Sequence, residues 1–464
     1  MEFIQLIWVA PRVIPLVPDS IRGEGFFVVR LASEQQEGLI MLDINYIRNN
    51  AEAVKKAVVD KLMDTDIDRL LELDKRIRDS VSIADELRAE RNILSKKTQL
   101  LAGNEKSIAI ERVRIIKEEL SGLEAGMSQA KTELEGIMLA VPSVPRPEVP
   151  IGKGEEDNVE IKRWGKIPKF SFPPKDHVEL TESLDLADIP RAVRFAGSRS
   201  YFLKNEGILL EMAICRFVID KLVSKGFTPM SVPLMVRESA MRGTGYFPIG
   251  YDMAYKLPED ELFLVGTSEV ALVSYHQNEI LGHNELPKRY AGHSTCFRRE
   301  AGTYGKDTRG LYRVHQFQKV EQVILCRNDD AEAERLHYEI LGNTEEILQA
   351  LELPYRVVLA CTGETGIGQV RKHDIETWMP SRNNYCETHS CSTLNDFQAR
   401  RSNIKYRDMD GSLKYVYTLN NTGIASPRIL IPLLETYQNE DGSVTVPRVL
   451  RPYMSNSEKI LPRV

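Results

Sequence analysis

The sequence predicts an α+β protein, a long antiparallel α-helical hairpin followed by a domain on a mostly antiparallel sheet. Three observations predict it. Val113, Ile116, Leu120, Leu123, Met127, Ala130, Leu134, Ile137 and Val141 form an apolar seam at alternating steps of three and four, the heptad pattern of helices that pair with a left-handed twist. A less regular seam precedes it at Leu70, Leu73, Ile77, Ala84, Leu87, Leu94 and Leu101. Beyond residue 175, short apolar runs are joined by loops and hairpins, without the strand–helix alternation of a parallel sheet.

The elements follow in chain order. Residues 1–40 open apolar, but Pro11, Pro15 and Pro18 break the run and Glu2 stands where a secretory leader would be basic. The stretch is too short and broken to cross a bilayer, and its acids argue against an organelle transit peptide. It is expected to be a poorly ordered extension, from an upstream start or as a dispensable addition. From 41 to 145 the chain reads as a helical arm, with its helices between Asp66 and Val141. "AGNEKS" (102–107) supplies a glycine–asparagine break at which the chain reverses. Helices of roughly 35 residues at ~1.5 Å per residue give an arm on the order of 50 Å long.

"VPSVPRPEVPIGKGEEDN" (141–158) is rich in proline and glycine, so residues 146–174 read as a linker and 175–464 as the main domain. There, "GILLEMAICRFVIDKLVSKG" (207–226) reads as a helix ended by Gly226. "FTPMSVPLMV", "FLVGTSEVALV", "RYAGHSTCFRRE", "HQFQKVEQVILC", "YRVVLAC" and "VYTLNNTGIAS" read as strands.

Charge narrows the function. Lys plus Arg number 61 against 67 Asp plus Glu, a net charge of −6, which excludes a uniformly basic nucleic-acid coat but leaves room for a local patch. Residues 88–117 hold one, with Arg88, Arg91, Lys96, Lys97, Lys106, Arg112, Arg114 and Lys117 against only Glu90, Glu105 and Glu111. Six scattered cysteines without a C-x-x-C pair suit reduced thiols in a cytoplasmic protein.

A second cationic cluster lies in "STCFRREAGTYGKDTRGLYRVHQFQKVE" (294–321), where Arg298, Arg299, Lys306, Arg309, Arg313 and Lys319 surround Glu300 and Glu321. Arginine forks that hold a polyphosphate would explain it, because guanidinium bonds two oxygens at once and keeps its charge. Yet no G-x-x-x-x-G-K-[ST] is present, and "TGETGIG" (362–368) has its glycines in the wrong order for a dinucleotide fingerprint. Any ATP site here works without a P-loop.

Three stretches, in order, resemble the three signatures of class II aminoacyl-tRNA synthetases. They are "GFTPMSVP" (226–233), "FRREAG…RVHQFQKVE" (297–321) and "LNNTGIASPRILIPLLETYQ" (419–438). "GTSE" (266–269), "YCETHSCS" (385–392) and "DFQARR" (396–401) narrow the resemblance to the seryl-tRNA synthetase family, from Met41 to the C-terminus. It implies a class II catalytic domain, a tRNA-binding arm and a serine–tRNA ligase. Such an enzyme joins ATP and L-serine as seryl-adenylate, then transfers serine to the 3′ end of tRNA(Ser), with tRNA(Sec) as a further candidate acceptor. Alternatives within the same resemblance are a duplicated paralogue with a resistance role and a non-catalytic RNA-binding paralogue.

The implied sites follow residue by residue. Arg298 and Arg428 are catalytic, with Arg298 and Glu300 on the second signature's strand and Arg428 opening the final helix. Arg298, Arg299, Glu300, Arg313, Phe317, Glu387, Thr388, His389, Ser390 and Arg428 would bind ATP. Thr267, Ser268, Glu269, Arg298, Glu321 and Thr422 would bind serine, and Glu387 with Ser390 would hold Mg²⁺. Arg88, Arg91, Lys96 and Lys97 would meet tRNA, and the hairpin at 66–141 would contribute nothing to adenylate formation. The expected assembly is a homodimer with no membrane attachment. Asn421, Thr422 and Pro427 depart from the commoner N-G-S…G-R form of the third signature and bear on substrate preference.

Overall fold

The structure, a computed structural model, describes residues 42–302 and 309–463. The N-terminal extension and Lys306 lie outside the described residues. Two short helices, α1 (Ile44–Asn49) and α2 (Ala51–Asp60), precede the hairpin helices α3 (Ile67–Lys97) and α4 (Gly103–Leu139). Asp66 caps α3, its side chain accepting from the Arg69 N–H at 2.8 Å. Every residue of the second seam is buried or half-buried. Ion pairs Arg69–Glu133, Arg88–Glu124 and Arg112–Glu90 link the helices in opposite directions. The reversal sits earlier than "AGNEKS" suggests: α4 begins at Gly103, so only residues 98–102 turn the chain.

At the hairpin's root, Ile47, Val54 and Val58 pack against Ile67, Leu70, Met138, Leu139 and Val141. This cluster makes α1 and α2 part of the arm's foundation.

The main domain is built on an eight-stranded sheet. Its strands are β1 (Val159–Trp164), β2 (Thr228–Ser231), β3 (Lys288–Phe297), β4 (Gln316–Cys326), β5 (Tyr355–Leu359), β6 (Arg371–Met379), β7 (Asn384–Asn395) and β8 (Tyr417–Ser426). Their order is β1-β5-β6-β7-β8-β4-β3-β2, antiparallel throughout except for the parallel β2–β3 pair. Helices α5 (Glu206–Ser224) and α7 (Asp330–Ala350) cover one face. There, Leu210, Ile214, Val218 and Leu222 meet Val320, Ile324, Leu336 and Ile340 in the main core. Period-two alternation then turns Phe317, Lys319 and Glu321 of β4 to the opposite face. α5 ends as expected, with Gly226 at φ +85° just beyond it.

Three expectations are corrected. "FLVGTSEVALV" is a strand only at Leu262–Leu264, and α6 (Glu269–Ser274) follows. Short apolar runs do not distinguish helix from strand by periodicity. "FTPMSVPLMV" divides into β2 and a separate strand at Met235–Arg237, because Pro233 lacks the N–H that would carry the ladder on. The segment read as a linker contains β1, which pairs with β5 as an edge of the main sheet, so the connection proper is shorter than 146–174.

Candidate active site

A cavity of ≈390 Å³ opens on the sheet face opposite α5 and α7. Strands β4, β7 and β8 form its floor. Of the residues expected to bind substrate, Thr267, Glu269, Arg298, Glu300, Arg313, Phe317, Glu321, Glu387, Thr388, Ser390, Thr422 and Arg428 all line it.

Three arginines, one lysine and four carboxylates share this cavity. Arg298 and Glu300 lie just beyond β3, which ends at Phe297 rather than running through them. The Arg298 backbone is held on both sides, its N–H donating to His315 O at 2.9 Å and its carbonyl bonded to His315 Nδ1 at 2.9 Å. Its guanidinium lies 5.2 Å from the Phe317 ring centre and Nε donates to Gly266 O at 3.3 Å. Glu300, at φ +53°, accepts from Arg313 Nη1 at 2.9 Å. Arg428 stands just ahead of α8 (Leu430–Thr436) and lies 4.5 Å from the Tyr312 ring centre. It donates to the carbonyls of Tyr312 and Glu387, each at 3.2 Å.

Two further carboxylates line the cavity, Glu321 buried and Glu269 half-buried. Glu269 Oε1 accepts from Gln398 Nε2 at 2.7 Å and Asn420 Nδ2 at 2.8 Å. Burial nonetheless raises its carboxyl above the ordinary value. Burial also pushes Glu321 up to about 7, opposed by the buried ammonium of Lys319, with which it pairs directly. Lys319 additionally reaches Thr267 Oγ1 at 3.4 Å. A carboxylate pair beside one ammonium suits a small ligand that brings both a cation and hydroxyl groups.

The wall carrying Glu387 owes its form to a bulge. Residues three apart on a regular strand face opposite ways, yet Glu387 and Ser390 both line the cavity. The β6–β7 register jumps between Ile375↔His389 and Glu376↔Glu387, leaving Thr388 as an extra residue. Burial opposes ionisation of Glu387, but Lys372, Arg428, Arg298 and Lys319 together hold its carboxyl below the ordinary range. Behind it, Lys372 pairs with the buried Asp374 at 2.8 Å. An ionised carboxylate with a neighbouring hydroxyl is a donor set suited to a hard divalent cation.

Three expected residues are not brought to the cavity. Arg299 is exposed and outside the lining, since alternation past the strand end turns it away from Arg298 and Glu300. Ser268 is fully buried with its hydroxyl donating to Gly292 O at 3.1 Å. His389, beyond the bulge, faces the sheet's other side, where Thr388 Oγ1 meets its Nδ1 at 2.8 Å and burial pushes it down to about 3. On the arm, Arg88 is occupied by Asp85 and Glu124. Among the described residues Arg91, Lys96, Lys97, Lys106 and Lys117 have no carboxylate partner.

Sequence reasoning left Tyr312, Lys319, Gln369, Ser392 and Asn420 out of the site, and all line the cavity. Lys319 had a readable signal, its position two residues from both Phe317 and Glu321 on one strand face. Gln369 had none, because a loop brings it in. Asn421 points the other way from Asn420 and Thr422: its amide donates to Ile340 O at 2.6 Å, beneath α7.

Comparison with known proteins adds three findings. A family description for the seryl-tRNA synthetase N-terminal domain matches residues 41–145, and one for the class II tRNA synthetase core domain (G, H, P, S and T) matches residues 251–437. The serine–tRNA ligase of Deinococcus radiodurans is 47% identical over 418 residues, covering 90% of this chain and 98% of that one. That of Dictyoglomus turgidum is 43% identical, covering 90% and 99%. Among solved structures, the seryl-tRNA synthetase from Pyrococcus horikoshii complexed with ATP superposes with a TM-score of 0.86 at 38% identity, over 91% of this chain and all of that one. The cytoplasmic serine–tRNA ligase of Naegleria fowleri in complex with AMP gives 0.82 at 27%, over 91% and 99%.

Proposed function

Since the chain belongs to the seryl-tRNA synthetase family, we propose that it activates L-serine with ATP and transfers it to the 3′ end of tRNA(Ser). The observation that carries this reading is one cavity that gathers Arg298, Arg313 and Arg428 together with Glu269 and Glu321, the latter paired with Lys319. ATP lies toward Arg298, Arg313 and Arg428, its adenine against Phe317 with Glu300 accepting from the amino group. Serine lies toward Glu269, Glu321 and Thr267, with Thr422 near its hydroxyl.

Serine brings its own nucleophile. Its carboxylate attacks the α-phosphorus, the P–O bond to the β,γ-phosphates breaks, and pyrophosphate leaves. Negative charge spreads over the phosphate oxygens in the transition state, and fixed guanidiniums stabilise it there without reorganising. Transfer then exchanges the mixed anhydride for an ester at the tRNA 3′ end, releasing AMP. Glu387 and Ser390 fit Mg²⁺, because the bulge aims both into the cavity and neighbouring cations keep Glu387 ionised. Mg²⁺ bound there would neutralise phosphate charge. Groups that bond the serine hydroxyl reject alanine by ~10⁴ or more, since alanine leaves them unpaired.

Serine-dependent, Mg²⁺-requiring ATP–pyrophosphate exchange tests this reading. Exchange with another amino acid and none with serine would overturn it. Charging of tRNA(Ser) and tRNA(Sec) transcripts then defines the acceptors.

A homodimer in the cytoplasm completes the proposal. Among the described residues the outer edge of β2 is unpaired in the sheet, and Ile208, Leu209 and Met212 of α5 with Met235 are exposed. Exposed apolar side chains and an open strand edge suit an isologous contact with a second copy. Sedimentation at micromolar concentration is expected to give a dimer, and a monomer with full charging activity would defeat this. Among the described residues, no helix is long and apolar enough to cross a membrane.

A further inference from the structure

We propose that Lys61, at the root of the arm, is a positioning residue for the amino-acid end of the pocket. It holds in place the segment 366–369 that forms one of its walls. Lys61 follows α2 and is 4% exposed. Its ammonium donates to three carbonyls of that segment, Gly366 O at 2.9 Å, Gln369 O at 2.6 Å and Ile367 O at 3.4 Å. Three donors thus meet three acceptors. Among the described residues no carboxylate pairs with this charge, and burial pushes it down to about 7. Taking an ammonium out of water is costly, so its place against these carbonyls calls for a role.

The contacts around it supply one. Just beyond α4, Ser143 N also donates to Ile367 O at 2.8 Å, and Arg146 N donates to Val370 O, the next residue along, at 2.9 Å. The segment's carbonyls are therefore tied mainly to the arm's root, while Gly366, Ile367, Gly368 and Gln369 line the cavity. Gln369 Nε2 donates to Ser392 Oγ at 2.7 Å. Ser392 pairs across β7 and β8 with Asn420, whose amide holds Glu269. A chain of direct contacts thus runs from Lys61 to the carboxylate assigned to serine, and none of its links is made by Arg298, Arg313 or Arg428.

This inference rests on the reading of the cavity as a serine-activating site. The test compares the full chain with Lys61→Met and with Thr65→Val. The second removes a bond internal to the root, Thr65 Oγ1 to Ala140 O at 2.9 Å, and is the control for root stability. In pyrophosphate exchange, Lys61→Met is expected to raise the KM for serine by ~10-fold or more, the scale of a displaced positioning wall. Its KM for ATP should stay near that of the parent, and Thr65→Val should move neither. An unchanged serine KM, or equal rises for serine and ATP, overturns the proposal. Should Lys61→Met not fold, Lys61→Gln, which keeps a polar head but loses the charge and the third donor, is read by the same split; failure of both to fold makes Lys61 a folding residue and also overturns it. Amide hydrogen exchange at residues 366–370 without substrates reads the wall directly. Faster exchange in Lys61→Met but not Thr65→Val supports the proposal even if the parent activates a different amino acid, and unchanged exchange sinks it.

Discussion

Arg298→Ala is expected to lower serine-dependent pyrophosphate exchange by more than ~10²-fold, the order of one lost preorganised stabiliser of transition-state charge. The structure explains why no neighbour replaces it. Backbone bonds to His315 fix its position on both sides, while Phe317 and the Gly266 carbonyl orient its fork. Arg313 is engaged with Glu300, and Arg428 is braced against Tyr312. Arg298→Lys should also lose most activity, because a point charge cannot bond two phosphate oxygens in one plane. The loss should fall on kcat more than on ATP affinity, since the interaction strengthens as charge develops. A fully active Arg298→Ala enzyme would mean that the phosphates lie elsewhere.

Removing the distal hairpin, residues 78–127 replaced by a short Gly-Ser bridge, is expected to leave exchange near the parent level while tRNA charging collapses. This cut retains the root cluster of Leu70, Met138, Leu139 and Val141 with α1 and α2. It also retains Lys61, so the cut separates the rod from its foundation. The rod is long enough for the purpose, since 31 and 37 helical residues at ~1.5 Å each extend about 50 Å. Its free cations would contact an RNA backbone, a mode suited to reading shape rather than sequence. Charging should weaken steeply with salt, and alanines at Arg91, Lys96, Lys97, Lys106 and Lys117 should flatten that dependence. Arg88→Ala alone should do little to it, because Asp85 and Glu124 already occupy that guanidinium. Normal charging by the shortened chain would reduce the hairpin to a spacer.

Much of this was legible in the residues themselves. The helical seam was readable because a heptad repeat has one geometric solution over so long a run. The second and third signatures located the cavity through Arg298, Phe317, Glu321, Thr422 and Arg428, each of which does line it. Their reach was weaker where a strand stops or shifts. Arg299 and Ser268 sit beside true lining residues, yet each turns the other way. Neighbours in sequence share a motif, but backbone direction decides which one meets the ligand.

By itself, then, the sequence determined the order of the elements, the paired helices of the arm, and the residue types of a phosphate-and-carboxylate site. Those depend on local periodicity and on side-chain chemistry, which the chain carries wherever it is placed. Only the tertiary structure decided that Glu387 and Ser390 share a wall, since an extra residue in β7 shifts the register against β6. The structure alone also ties Lys61 to carbonyls some three hundred residues further along the chain. The physical reason is the same in each case. Strand register, burial and long-range hydrogen bonds are properties of pairs of segments, and no single segment encodes its partner.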